Sequence, residues 1–131
     1  MNGWLAYAYP NGLKARNRDP QAKPRFWFTV GKPTVPWRFE WIKPEVRDVF
    51  LTEGESDCMA LIESGLEVPG LSACVASPGT SFPAAWATLF TGKRVTICFD
   101  RDKAGQAAAL KVAAMLRPLA AGVSIWKGGQ P

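Results

Sequence analysis

Three short apolar runs, 49–53 (VFLTE), 72–76 (SACVA) and 94–99 (RVTICF), each end in turn residues, and each is followed by a segment with helix signals. This alternation constrains the fold more than any other feature of the chain. Runs of five or six apolar residues bounded by turns read as buried strands. A strand, a helix and a second strand form a right-handed crossover between parallel neighbours. A fourth run, 122–126 (GVSIW), completes the series. The expected architecture is α/β, a mainly parallel four-stranded sheet flanked by helices.

The helices carry their own punctuation. Residues 56–64 place Cys58, Leu61 and Ile62 on one side, with Gly65 as the stop. Ser81 is placed to cap a helix through Phe90, with Pro83 in its first turn. A longer Ala-rich helix is expected from Lys103 to Arg117, with Ala104, Ala108, Val112, Met115 and Leu116 as its apolar face. Upstream, residues 4–9 and 13–16 read as strands joined by the turn Pro10-Asn11-Gly12. Residues 25–30 (RFWFTV) read as a further strand. The stretch 31–48 reads as irregular, broken by Pro33, Pro36 and Pro44, with a short strand near Trp37–Ile42.

Charge divides the chain at the same place. Residues 1–49 hold nine Lys and Arg against four acids, whereas residues 50–131 hold seven of each. Nine of the fifteen aromatics also fall in the first segment. Basic residues interleaved with aromatics suit phosphates and bases, and equally suit a small β-rich unit with an aromatic core. The expected division is a basic, aromatic, β-rich segment at 1–46 and an α/β domain at 47–131.

Composition removes several chemistries. The 131 residues contain no histidine, and Cys58, Cys74 and Cys98 form no CxxC pair. A zinc finger, a Ser-His-Asp triad and a Cys-His nucleophile are thereby excluded. The cysteines lie in apolar stretches and read as buried, reduced thiols. No run approaches the roughly 18 apolar residues of a membrane helix, and the N-terminus lacks a signal-peptide pattern, so a cytoplasmic protein is expected.

Any catalysis must therefore use carboxylates, hydroxyls, lysines, arginines or an oxygen-ligated metal, and the carboxylates gather at one sheet edge. In open α/β sheets ligands bind beyond the carboxyl ends of the strands. The first parallel strand runs into Glu53-Gly54-Glu55-Ser56-Asp57, the second into Ser77-Pro78-Gly79-Thr80, and the third into Asp100-Arg101-Asp102-Lys103-Ala104-Gly105. Acids at strand ends also serve as plain helix caps. An acid-Gly after one strand and an Asp-x-Asp after a later one is a stronger pattern. Carboxylates so gathered repel unless a cation lies between them, and Mg²⁺ or Mn²⁺, being hard ions, fit oxygen ligands. Neither a P-loop nor a GxGxxG fingerprint is present. Ser77 and Thr80 have no base nearby and read as turn formers. Trp86 and Trp126 read as core, and Trp27 and Trp37 as rings packed under strands.

At these residues the sequence resembles the Toprim domain of primases, topoisomerases and some nucleases. The marks are Glu53-Gly54, Asp100-x-Asp102 and the following Gly105, with the Ser77–Thr80 turn as the middle glycine turn. The Asp-x-Asp-x-Ala-Gly form before an Ala-rich helix is most similar to the primase branch, including phage and mitochondrial primase-helicases and plasmid primases. The stretch Tyr9–Arg16, with the aromatic strand and Gly31-Lys32 after it, is similar to the segment before the Toprim core in those proteins.

The resemblance implies a Rossmann-like Toprim fold and Mg²⁺-dependent synthesis of RNA primers from NTPs on single-stranded DNA. It implies that Glu53 acts as general acid/base or metal ligand, that Asp100 and Asp102 hold the metal, and that Asp57 is a further ligand. It implies that Lys14, Arg16, Arg25 and Lys103 face the nucleotide or template. It further implies a linked helicase or other replication domain, because the chain reads as part of a larger protein. Two other readings of the same motifs stay open: a phosphodiester-cleaving Toprim nuclease or topoisomerase-like module, and a non-catalytic nucleic-acid-binding module.

Overall fold

The computed structural model describes residues 4–19, 21, 26–28, 33–79 and 81–127. Arg25, Gly31-Lys32 and Thr80 lie outside them.

Among the described residues, seven strands form two sheets. β1 (Trp4–Tyr9), β2 (Gly12–Asn17) and β3 (Phe26–Phe28) make an antiparallel sheet in that order. The β1–β2 register, Tyr9 opposite Gly12 and Tyr7 opposite Lys14, closes the hairpin over Pro10-Asn11, and Gly12 takes the positive φ the turn needs. β4 (Asp48–Thr52), β5 (Ser72–Ala76), β6 (Arg94–Cys98) and β7 (Gly122–Ile125) form a parallel sheet in the order β5-β4-β6-β7. α1 (Glu55–Glu63) follows β4, and α2 (Lys103–Leu116) follows β6.

Alternation along the strands sorts the core into two layers. Val49 and Leu51, Ala73 and Val75, and Val95 and Ile97 face Ala109, Val112, Ala113 and Leu116 of α2. Cys74 and Ala76 face the opposite way and join Cys58, with Leu61 and Ile62 packed against them. The three cysteines are buried and reduced, and burial pushes their thiols up to about 12, 12 and 11 for Cys58, Cys74 and Cys98.

Three details depart from the sequence expectation. Residues 84–90 form a 3₁₀ helix whose N-cap is the extended Pro83 (φ −61°, ψ 138°), so the helix begins after the proline and Ser81 is not its cap. Trp37 makes a single bridge to Ala76 rather than a strand, and Phe39–Trp41 is a 3₁₀ turn. The buried face of α2 starts from Gly105 and Ala109, whereas Ala104 is exposed.

The turn at 37–41 depends on one ion pair. Arg38 has φ 67°, which a long side chain rarely adopts. Its guanidinium donates to both oxygens of Glu67 (2.6 and 2.8 Å) and to the Cys74 carbonyl (2.8 Å), and it stacks on Trp41. Burial alone would raise the Glu67 carboxyl, but the bonds from Arg38 and the Cys74 amide outweigh it and hold the group below its usual range. The stability this supplies is complete above the ordinary carboxylate pKa of about 4.3 and is lost as pH falls through the depressed value. Thermal melts should therefore show wild type losing Tm more steeply below about pH 4.3 than Glu67→Gln.

Candidate metal and nucleotide site

The sheet order creates the crevice. From β4 the chain moves to β5 on one side, and from β6 it moves to β7 on the other. The crossovers part between β4 and β6, the position where open sheets bind ligands. Thr52 is paired with Cys98 at the ends of these neighbours, so Glu53 and Asp100 emerge side by side. The Asp100 amide donates to Glu53 Oε1 at 3.1 Å. Thr52 Oγ1 donates to the Gly54 carbonyl, and the Ser77 amide donates to the Thr52 carbonyl, which holds the loop ends together.

A cleft of about 300 Å³ opens here, lined by Lys14, Arg16, Glu53, Glu55, Asp57, Gly79 and Asp100 among others. The acids in it act on one another. Burial raises the Glu53 carboxyl, and the charges of Asp100, Asp102 and Asp57 raise it further against the lowering bond from the Asp100 amide. Burial also raises Asp57, as does Asp100, while Arg16 lowers it. Such mutual repulsion is what a bound cation relieves.

The donor set fits Mg²⁺ or Mn²⁺. It is all hard oxygen, and Glu53, Asp57 and Asp100 share the cleft. Among the described residues no three acidic groups already converge as a closed ligand cage. That arrangement suits an ion held by one or two carboxylates with waters and phosphates completing the shell.

Asp102 is placed differently. It is the N-cap of α2, and its Oδ1 accepts from the Gly105 amide at 2.7 Å. It lies outside the residues lining the cleft, but its charge reaches Glu53. Lys103 opens α2, is exposed, and also lies outside that lining. Arg16 lines the cleft, and its buried Nε has no hydrogen-bond partner among the described residues.

Lys14 lines the cleft, but its charge is already engaged there. Its side chain is 4% exposed, and its ammonium is bound to Glu55 Oε1 and the Pro78 carbonyl, each at 3.0 Å. Its burial arises from packing across 41 residues of sequence, which no local pattern discloses. Glu55 was not singled out by sequence reasoning. Its place between Glu53 and Asp57, beside a helix start, was the available signal.

Ser77 behaves as a turn former: its hydroxyl donates to the Gly79 and Ser81 carbonyls. Trp86 is core, whereas Trp126 is half-buried and lines clefts beside Asp100. Trp37 stacks edge-on against Tyr7.

The glycines have different reasons for being glycine. At Gly105 a Cβ would strike the Asp100 carbonyl oxygen and lie 2.8 Å from its carbon. Gly105→Ala gains about 1 kcal/mol of helix propensity but overpacks against backbone, which typically costs about 1–3 kcal/mol. The clash should win, so a urea titration should show lower stability. At Gly54 the backbone is extended and a Cβ would meet nothing within 4 Å. The protein itself does not require that glycine.

A family model described as Toprim-like matches residues 50–127. No curated protein sequence matches the chain. Among solved structures, the chain is similar to an assembly of bacteriophage T7 lagging-strand DNA polymerase with primase domains of two gp4 subunits bound to an RNA/DNA hybrid and dTTP. There the TM-score is 0.67 at 21% identity, over 93% of this chain and 63% of that one. It is similar to the Aquifex aeolicus primase zinc-binding and RNA polymerase domains, with TM-score 0.64 at 25% identity over 94% and 32%. It is also similar to the RNA polymerase domain of Mycobacterium tuberculosis primase DnaG, with TM-score 0.53 at 24% identity over 91% and 44%. The chain thus spans between 32% and 63% of the structures it matches. No helix among the described residues is long and apolar enough to cross a membrane. With the parallel sheet, the paired acidic motifs and a match over residues 50–127, the chain belongs to the Toprim-like family.

Proposed function

We propose that this chain is the Toprim catalytic core of a DNA primase, a cytoplasmic enzyme part that builds RNA primers from NTPs on single-stranded DNA. The observation that carries this reading is the placement of Glu53 and Asp100 on adjacent strand ends, hydrogen-bonded and sharing one cleft with Arg16. Likeness to primase domains, one of them bound to an RNA/DNA hybrid and dTTP, supports it. In the larger protein a helicase or other replication domain would be attached.

One or two of Glu53, Asp57 and Asp100 would hold Mg²⁺ or Mn²⁺, with waters and phosphates completing the shell and Asp102 adding charge from the head of α2. The ion, when bound, neutralises charge developing on the phosphoryl oxygens. Arg16 would offer a cation to the phosphates from β2, and Arg25 and Lys103 would bind the nucleotide or template. Glu53, raised by burial and further by the charges of its neighbours, would serve as the general acid/base of the site. Nucleotide addition, rather than tyrosine-linked cleavage, is favoured because Tyr7 and Tyr9 are buried and bonded to Ser56 and Glu55.

Gly54 gives the test. It lines the cleft, and any residue could adopt its backbone, so its missing side chain leaves room for a ligand. Serine is at least as good an N-cap as glycine. Gly54→Ser should keep wild-type Tm while primer synthesis from labelled NTPs falls about a hundredfold. Unchanged synthesis in that folded variant, or nicking without synthesis by the wild type, would defeat the reading.

A further inference from the structure

We propose that Tyr9, Lys14 and Glu55 form a buried clamp by which the N-terminal hairpin positions the acidic loop, making Glu55 a positioning residue and not a metal ligand. This rests on the metal-site reading above. Glu55 sits between two cleft acids, yet it is 4% exposed and both its oxygens are taken. Oε2 accepts from the Tyr9 hydroxyl at 2.6 Å and Oε1 from the Lys14 ammonium at 3.0 Å. The short O–H···O⁻ contact has the length of a charge-assisted bond. Burial and the Glu55 charge both push the Tyr9 hydroxyl far above its ordinary range, so it stays a donor.

The clamp reaches three segments. Lys14 also donates to the Pro78 carbonyl, and Tyr7 shares a hydrogen bond with Ser56 at 3.0 Å. Hairpin side chains therefore grip residues 55 and 56, the pair just before Asp57 and two beyond Glu53, together with the turn after β5. Glu53 and Asp57 repel Asp100 and one another, so a loop free to relax would spread them. Lys14 also compensates Glu55, keeping a further negative charge from adding to that repulsion. A buried ion pair is a poor source of stability but an effective way to specify one arrangement. The residues that grip, Tyr7, Tyr9 and Lys14, come from outside the Toprim-like match at 50–127.

The test uses the full chain with Tyr9→Phe, and with Lys14→Met and Glu55→Met combined, which removes both charges and strands neither. Two readouts are taken where all proteins are folded: Mn²⁺ affinity by electron paramagnetic resonance of the free ion, and amide exchange by NMR. Residues supporting metal ligands typically contribute 10–100-fold in affinity, so Mn²⁺ should bind about tenfold more weakly. Exchange at the Cys58 and Ser77 amides, which donate to the Gly54 and Thr52 carbonyls, should accelerate while β6 stays unchanged. Wild-type affinity in the variants overturns the proposal, as does a uniform rise in exchange across both regions. If the wild type binds no Mn²⁺ and the loop still loosens selectively, the metal reading fails and the clamp stands.

Discussion

A protein carrying Asp100→Asn and Asp102→Asn should be more stable than wild type without metal, and should lose primer synthesis by about a thousandfold. The stability gain follows from repulsion. The Asp100 charge raises both Glu53 and Asp57, and Asp102 adds to the former. Removing those charges takes away their share of the cost of ionising Glu53 and Asp57, while the share owed to burial stays. Asparagine caps helices about as well as aspartate, so the bond from the Gly105 amide survives the change. The activity loss follows because an amide neither attracts a divalent ion as a carboxylate does nor carries its charge. Melting curves and labelled-NTP extension on the same preparations check both halves. A variant that is less stable and still active would show these acids to be structural. Natural sites that trade stability for function behave in the predicted way.

Lys14→Met should be the most destabilising single change in the cleft wall. It leaves the Glu55 carboxylate in a site 4% exposed, with Tyr9 as its remaining side-chain donor. Removing one member of a buried ion pair typically costs about 3–5 kcal/mol, because the other charge is then uncompensated. For a domain of this size that is about 10–20 °C in Tm. Replacing both Lys14 and Glu55 by methionine should recover most of the loss, since no charge is stranded. Urea titrations of the single and double variants measure the difference. A Lys14→Met protein as stable as wild type would mean that the pair carries no energetic coupling.

The parallel sheet was legible because each strand is a short apolar run closed by turn residues, and the acids that matter follow directly from those ends. Strand ends at a crossover point share an edge, which is why Glu53, Asp57 and Asp100 meet in one cleft, whereas Asp102 caps α2 outside its lining. What the sequence did not disclose was long-range pairing. Nothing local says that Lys14 turns inward to Glu55, or that Arg38 reaches Glu67 and so accepts a left-handed backbone. Residues 81–90 differ locally: Pro83 stands as the N-cap rather than in the first turn, so the helix starts at Ala84 and Ser81 lies outside it. The packing face of α2 was displaced because the close approach of the Asp100 carbonyl puts Gly105, not Ala104, against the sheet.

The acidic cluster as a cation site is tested most directly by Mg²⁺ titration of wild type and Glu53→Gln, followed by thermal melting at pH 7. Ions that bind only the folded state raise Tm with concentration. Because Glu53 and Asp57 have raised folded pKa values, apo stability falls as pH rises through those values, and metal should restore it there. The account predicts a Tm that climbs with Mg²⁺ in the wild type and stays flat in folded Glu53→Gln. Equal behaviour of the two proteins up to millimolar Mg²⁺ would contradict it.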